Sequence, residues 1–400
     1  SKLKEAEILQ RKAIELNPDF ADAYCNLGNV LRDLGKSKEA EISTRKAIEI
    51  DPDLAKAHCN LGSILNDLGQ LQEAELSTRK AIKLNPNYAK AHSNLGSILK
   101  DLGQLEEAEI STRKAIDLNP DYANAYLNLG NILIDLGKEK DAIKHYSFAL
   151  EKEPTNIYFY INSKFNFSKI MKDTSQINIE RKNYQEQIKL LKNKKAIEYK
   201  NDEVFHTNIF YLPYHNRSND KIILEELSNT LSKIKGILVN DFSMHETINF
   251  NSKNDYLKVG ICSEFLRYSH VVGKLYIKVL LDLLKTNSEI NIYVPPGKTQ
   301  VKDFEILRNF FNRVVYLPKS PIIAKKEIIK DKLDILFYPD IGMSNYTYLL
   351  ALSRLALVQV NSLGHASTSG IENIDYYITY PCEPKKSDNS YTEQIIRFNK

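Results

Sequence analysis

The chain has 400 residues, of which 42% are hydrophobic and 26% charged, the proportions of an ordinary globular protein and not of a disordered or fibrous one. That length exceeds what one compact core usually holds, so two or more units are expected. A formal net charge of +4 over 400 residues leaves no electrostatic footprint for nucleic acid.

No apolar stretch approaches the roughly 20 residues that a membrane-spanning helix needs. The N-terminus carries no signal-peptide pattern, so the expected compartment is the cytoplasm. The chain starts with Ser1 in the middle of a repeat, which reads as a fragment of a longer protein. Cys25, Cys59, Cys262 and Cys382 form no CxxC pair. Cys25 and Cys59 occupy equivalent repeat positions, as reduced packing thiols would.

Residues 1–156 carry a 34-residue period. "NLG" recurs at 26–28, 60–62, 94–96 and 128–130, "DLG" at 33–35, 67–69, 101–103 and 135–137, and proline at Pro18, Pro52, Pro86, Pro120 and Pro154. This is the tetratricopeptide period, two antiparallel helices per repeat stacked on the next pair. Gly28 and its equivalents let the paired helices approach, Ala40 and Ala47 fill their contact, and Pro52 ends the second helix. Asn26, Asn60, Asn94 and Asn128 stand on the first helices. Such a column either hydrogen-bonds the main chain of an extended peptide or only bonds neighbouring helices.

Residues 157–255 lose the period. "ERKNYQEQIKLLKNKKAIEYK" reads as an amphipathic helix with a basic face, and "IFYLPYHNRSND" leads into the apolar helix "KIILEELSNTLSKI". The segment reads as a helical connecting region in which His206 and His215 are structural.

Residues 256–400 change texture. Strands are expected at 257–262, 290–294, 313–317, 334–338, 356–360 and 375–379, with helices at 271–285, 301–311, 321–331 and 346–355 between them. Near-continuous apolar strands alternating with helices predict a parallel, doubly wound sheet. Ligands in such folds bind beyond the carboxyl ends of the strands. There lie "SEFLRYSHVVG" with Ser263, His270 and Gly273, "PDIGMSNY" with Asp340 and Gly342, and "LGHASTSG" with Gly364, His365, Thr368, Ser369 and Gly370. The last run offers N–H groups and hydroxyls suited to an anion, or serves as plain turn chemistry. Asp51-Pro52-Asp53 is a repeat turn, and no His/Cys cluster has ligand spacing, so no metal is expected. No GxGxxG or P-loop pattern opens a helix.

"LKVGICSEFLRYSHVVGKLY", "LDILFYPDIGMSNYTYLLALSRLALVQVNSLGHASTSGIENIDYYIT" and "YTEQIIRF" resemble the first catalytic lobe of the O-linked N-acetylglucosamine transferase and Spindly superfamily, glycosyltransferase family 41, in its bacterial form. Repeats, connecting region and lobe follow the family's order. The resemblance implies an α-solenoid followed by a Rossmann-like α/β lobe, the first half of a GT-B fold, whose second lobe would lie beyond Lys400. It also implies an inverting protein glycosyltransferase acting on Ser/Thr. A nucleotide sugar, UDP-linked, would be the donor substrate, with no cofactor and no metal, and protein acceptors would be recruited by the repeats.

By the same resemblance, His270 matches the family histidine near sugar and acceptor, although an extra residue stands between Phe265 and His270. His365 matches the histidine of the bacterial wording, with Ala366 in place of proline. Gly364, Thr368, Ser369 and Gly370 would then lie near the donor phosphates or the acceptor, and Asp340 would orient a histidine or bond the sugar. The competing reading is a non-catalytic tetratricopeptide adaptor that keeps a remnant lobe.

Overall fold

The computed structural model describes residues 2–168, 171–194, 196–199, 204–215, 220–238, 256–296, 306–311, 313–362, 367–380 and 384–397. The chain divides between Pro154 and Thr155 into two compact units.

The first unit is all helix: α1 (Lys2–Leu16), α2 (Ala21–Asp33), α3 (Ser37–Ile50), α4 (Ala55–Asp67), α5 (Leu71–Leu84), α6 (Ala89–Asp101), α7 (Leu105–Leu118), α8 (Ala123–Asp135) and α9 (Glu139–Lys152). The "DLG" glycines turn the chain between paired helices with φ of 78° at Gly35, 76° at Gly69, 81° at Gly103 and 74° at Gly137, a region that costs other residues strain. The "NLG" glycines permit close approach. A Cβ at Gly28, Gly62 or Gly96 would meet the Oγ1 of Thr44, Thr78 or Thr112 at 2.1, 2.0 or 1.9 Å.

Apolar residues then bind each repeat to its successor. Leu27, Leu31 and Ala40 pack with Ile64, Leu61, Leu65 and Ala74 with Ile98, and Leu95, Leu99 and Ala108 with Ile132. Because each contact reaches only the next repeat, the array is a solenoid with nearest-neighbour stability.

The second unit opens with α10 (Ile157–Lys164), α11 (Thr174–Asn193), a 3-10 segment at Ile209–His215 and α12 (Asp220–Ser232). Helix α11 begins six residues before the predicted basic helix, where the Asp173 carboxylate accepts from Gln176 N at 2.8 Å. Arg181, only 4% exposed, pairs with Asp220 at 2.5 Å and lies 3.5 Å from His215 Nδ1. His206 Nδ1 lies 3.1 Å from Asn345 Nδ2, so both histidines sit in structural contacts.

A seven-stranded, wholly parallel sheet follows: β1 (Leu257–Cys262), β2 (Ser288–Val294), β3 (Arg313–Tyr316), β4 (Leu333–Tyr338), β5 (Ala356–Ser362), β6 (Tyr376–Thr379) and β7 (Gln394–Arg397), ordered β3-β2-β1-β4-β5-β6-β7. Among the described residues, three α-helices lie between the strands, α13 (Val271–Leu283), α14 (Pro321–Lys330) and α15 (Asn345–Ala351). Val259, Ile261, Ile290 and Ile292 of the sheet bury against Ile277 and Leu280 of α13. Of the predicted helix at 301–311, residues 301–305 lie outside the described residues, and Ile306–Asn309 forms a 3-10 helix.

Strand β7 was not expected, since "QIIR" is four residues long with alternate residues exposed, the pattern of an edge. The described helices between 157 and 238 lie in one compact unit with the sheet. Thr207 donates from N and Oγ1 to Asn345 Oδ1 at 3.1 and 3.2 Å, and Ser228 Oγ donates to the Gly370 carbonyl.

Candidate functional site

In this order β1 leads outward to β2 and β3, whereas β4 to β7 extend from its other side. The order in which strands are added reverses between the parallel neighbours β1 and β4, and the crevice beyond their carboxyl ends is where doubly wound sheets bind ligands.

Ser263 and Glu264 follow β1, and Asp340 follows β4 at the same edge. Asp340 is fully buried, and its Oδ2 accepts from Ser263 Oγ at 3.0 Å and Glu264 N at 2.8 Å. Its Oδ1 makes no hydrogen bond of ordinary geometry, and the Thr347 hydroxyl also favours the charged form. Burial raises the Asp340 carboxyl to about 7, against the stabilising Glu264 N–H and Ser263 hydroxyl, and the nearby Glu264 charge pushes the same way. Glu264 is itself raised by burial, with Ser344 and Arg267 opposing. Nearby at the ends of β4 and β5, Tyr338 Oη and Asn361 Nδ2 are also buried without partners. Native proteins rarely leave such atoms unpaired except at sites of strain, water or ligand. Gly342 takes φ 94° in the turn after Asp340, and Ser344 caps α15.

His270 is the N-cap of α13: its Nδ1 accepts from Val272 N at 3.2 Å, and its ring stacks on Phe265 with centroids 4.7 Å apart. Burial, helped by Arg267, lowers its pKa. With Nδ1 accepting, the neutral ring carries its proton on Nε2 and presents a donor there, not a base. Asp340 therefore holds the loop after β1 through Ser263 and Glu264 and makes no bond to His270.

Gly364 and His365 lie outside the described residues. The rest of that loop is turned inward. Glu393 accepts from Thr368 Oγ1 at 2.5 Å, from Ser369 N at 2.7 Å and from Ser369 Oγ, and both Thr368 and Ser369 are 3% exposed. Gly370, at φ 68°, lies so close to α12 that a Cβ would meet Leu224 Cβ at 2.4 Å. The Thr368 and Ser369 hydroxyls are thus committed to Glu393, whereas Ser367 Oγ donates to the Thr368 carbonyl at 3.3 Å. Sequence reading did not single out Glu264 or Glu393; the only signal was a lone acid within each quoted stretch.

In the repeats, the asparagine column bonds neighbouring repeats. Asn60 Nδ2 donates to Cys25 Sγ at 3.1 Å, Asn94 Nδ2 to Ser63 Oγ at 2.7 Å, and Asn128 Nδ2 to Ser93 Oγ at 2.9 Å. On the other edge of the amide, Lys56 donates to Asn26 Oδ1 at 2.7 Å. Burial raises the Cys25 and Cys59 thiols, which keeps them protonated and inert. Among the described residues no helix is long and apolar enough to cross a membrane.

A comparison with curated protein sequences gives no match. Among solved structures, the chain is similar to an O-GlcNAc transferase mutant of Thermobaculum terrenum, 20% identical with a TM-score of 0.38, over 95% of this chain and 57% of that one. This chain therefore spans little more than half the length of that protein. It is also similar to TTC0263, a thermophilic TPR protein of Thermus thermophilus (22% identity, TM-score 0.38, 40% of this chain and 88% of that one). A further similarity is to pilF of Pseudomonas aeruginosa (19% identity, TM-score 0.40, 58% and 93%). Residues 21–54, 55–88 and 123–156 match a tetratricopeptide repeat family model, residues 96–137 a TPR repeat model and residues 78–110 another tetratricopeptide repeat model. Residues 21–156 are thus a tetratricopeptide repeat array.

Proposed function

We propose that the chain is the acceptor-recruiting and first-lobe part of a cytoplasmic protein glycosyltransferase that transfers a sugar from a UDP-linked donor to Ser/Thr of proteins held by the repeats. The observation that supports this reading is the polar group of buried Ser263 and Asp340 with half-buried Glu264 at the switch point of a wholly parallel sheet that follows a peptide-binding type of repeat array. A GT-B enzyme would use this edge as one wall of its cleft, with the donor held mainly by a second lobe.

In an inverting transfer the acceptor hydroxyl attacks the anomeric carbon while the nucleoside diphosphate leaves. The protein aligns the two and stabilises the leaving charge. His270 would supply an Nε2–H donor toward sugar or acceptor, Asp340 would hold the β1 loop in position, and Gly342, Gly364 and His365 would complete the edge.

A second reading, a repeat adaptor with a non-catalytic lobe, is favoured by the inward commitment of Thr368 and Ser369 to Glu393. Intact-mass measurement of candidate acceptor proteins incubated with the full-length protein and UDP-GlcNAc, UDP-glucose or GDP-fucose decides between them. An added hexose, N-acetylhexosamine or deoxyhexose supports transfer, and no added mass with any donor leaves the adaptor.

A further inference from the structure

Apart from Gly273, Lys274, Lys278 and Asp282, every residue of α13 (Val271–Leu283) is hydrophobic. A helix that is apolar on all sides belongs in an interior, covered all round. Helix α13 packs on the sheet through Ile277 and Leu280. On its other side Val271, Leu275, Val279 and Leu283 stand 64%, 39%, 48% and 37% exposed. Scattered apolar exposure needs no explanation, but four residues at a constant step of four form one continuous ridge.

Positive charge lines one edge of that ridge. Lys274 and Lys278 each stand one residue before an apolar member, and both are exposed. The only acid between Val271 and Lys285 is Asp282, whose carboxylate bonds Lys285 at 2.6 Å. Lys274 and Lys278 therefore keep the four-residue step of the ridge and form no ion pair among the described residues.

We propose that this face docks an amphipathic helix of a partner protein, whose apolar ridge lies beside the Val271–Leu283 row and whose acidic residues, spaced by four, meet Lys274 and Lys278. Ridges of i, i+4 spacing interlock with helix axes about 8–10 Å apart, crossing at about −50°. Charge selects the occupant: a second copy of α13 brings lysines against lysines, whereas opposite charge at the rim favours encounter and rejects like-charged partners. Leu275 and Leu283 sit low on the surface, where the ridge of another helix reaches and a flat lipid surface does not. The face is about 20 Å long, so the contact belongs to the small, reversible end of interface sizes. Val271 follows the N-cap His270, so the row ends beside the crevice, yet the surface does not depend on sugar transfer.

The test uses the whole chain and two fluorescently labelled helical peptides, identical in an apolar ridge at i, i+4 and i+8 and bearing either glutamates or lysines along one edge. Anisotropy titration is expected to show the glutamate peptide binding at least about 10-fold tighter than the lysine peptide. Lys274→Glu with Lys278→Glu is expected to reverse that preference, which a peptide held by the repeats would not show. Leu275→Asp with Val279→Asp is expected to abolish binding with helical circular dichroism unchanged, and Leu275→Ser with Val279→Ser takes its place should the aspartates unfold the lobe. Equal binding of the two peptides, a preference that survives charge reversal, or no binding overturns the proposal. So does a wild type that forms a dimer in sedimentation velocity, or binds phosphatidylserine vesicles, through Leu275 and Val279.

Discussion

The Asp340 carboxylate accepts from the main-chain N–H of Glu264 at 2.8 Å and so ties the end of β4 to the end of β1, the parallel neighbours between which the strand order reverses. This contact buries a carboxyl whose other oxygen makes no hydrogen bond of ordinary geometry. Burial is the dominant influence on its ionisation.

That carboxyl makes stability depend on pH. An unfolded aspartate titrates near 3.9, whereas folded Asp340 titrates at about 7. Between these values the folded state holds a proton that the unfolded state has released, so the stabilising contribution is fully present below about pH 4 and lost as pH rises through 7. Asp340→Asn mimics the protonated group. Denaturant melts are expected to show the wild type losing up to about 4 kcal/mol relative to Asp340→Asn between pH 4 and 7.5. Parallel curves for the two proteins would contradict the assignment.

His270 offers a way to separate architecture from chemistry. Asparagine is a good N-cap and alanine a poor one, so His270→Ala is expected to cost about 1 kcal/mol and His270→Asn close to nothing. If His270 also faces substrate, His270→Asn keeps its melting temperature and loses transfer activity. Equal stability loss in both variants would remove the capping role.

The asparagine column is expected to matter for stability before any peptide is present. Asn94→Ala removes the bond to Ser63 Oγ, and Asn60→Ala removes the one to Cys25 Sγ. Each is worth about 1 kcal/mol. Nearest-neighbour coupling in the array makes the double variant lower the midpoint of the whole repeat transition in urea. An unchanged midpoint would free the column for partner binding.

Gly96 tests the helix approach within a repeat. Alanine there gains about 1 kcal/mol of helix propensity but sets a methyl 1.9 Å from Thr112 Oγ1 and 3.1 Å from the Ala108 carbonyl. Overpacking costs about 1–3 kcal/mol, so Gly96→Ala is expected to be destabilising by about 1 kcal/mol. Adding Thr112→Ala should relieve most of that loss in a thermal melt. A stabilising single variant would show that the helices can part at no cost.

Local pattern alone determined the repeat array. The glycine, alanine and proline positions each act within one repeat or on its neighbour, and a 34-residue period writes those short-range contacts directly into the chain. The six strands read from the sequence are equally local, being apolar runs of one period. The tertiary structure decided what depends on distant partners. Glu264 looks like any lone acid until β4 brings Asp340 beside it 76 residues later, and Thr368 and Ser369 read as an anion loop until Glu393 arrives from the segment before β7. The asparagines, likewise, are defined by what stands 31 to 35 residues back on an adjacent helix. Polar side chains take their meaning from the group that satisfies them, and burial forces that choice only once the chain has closed on itself.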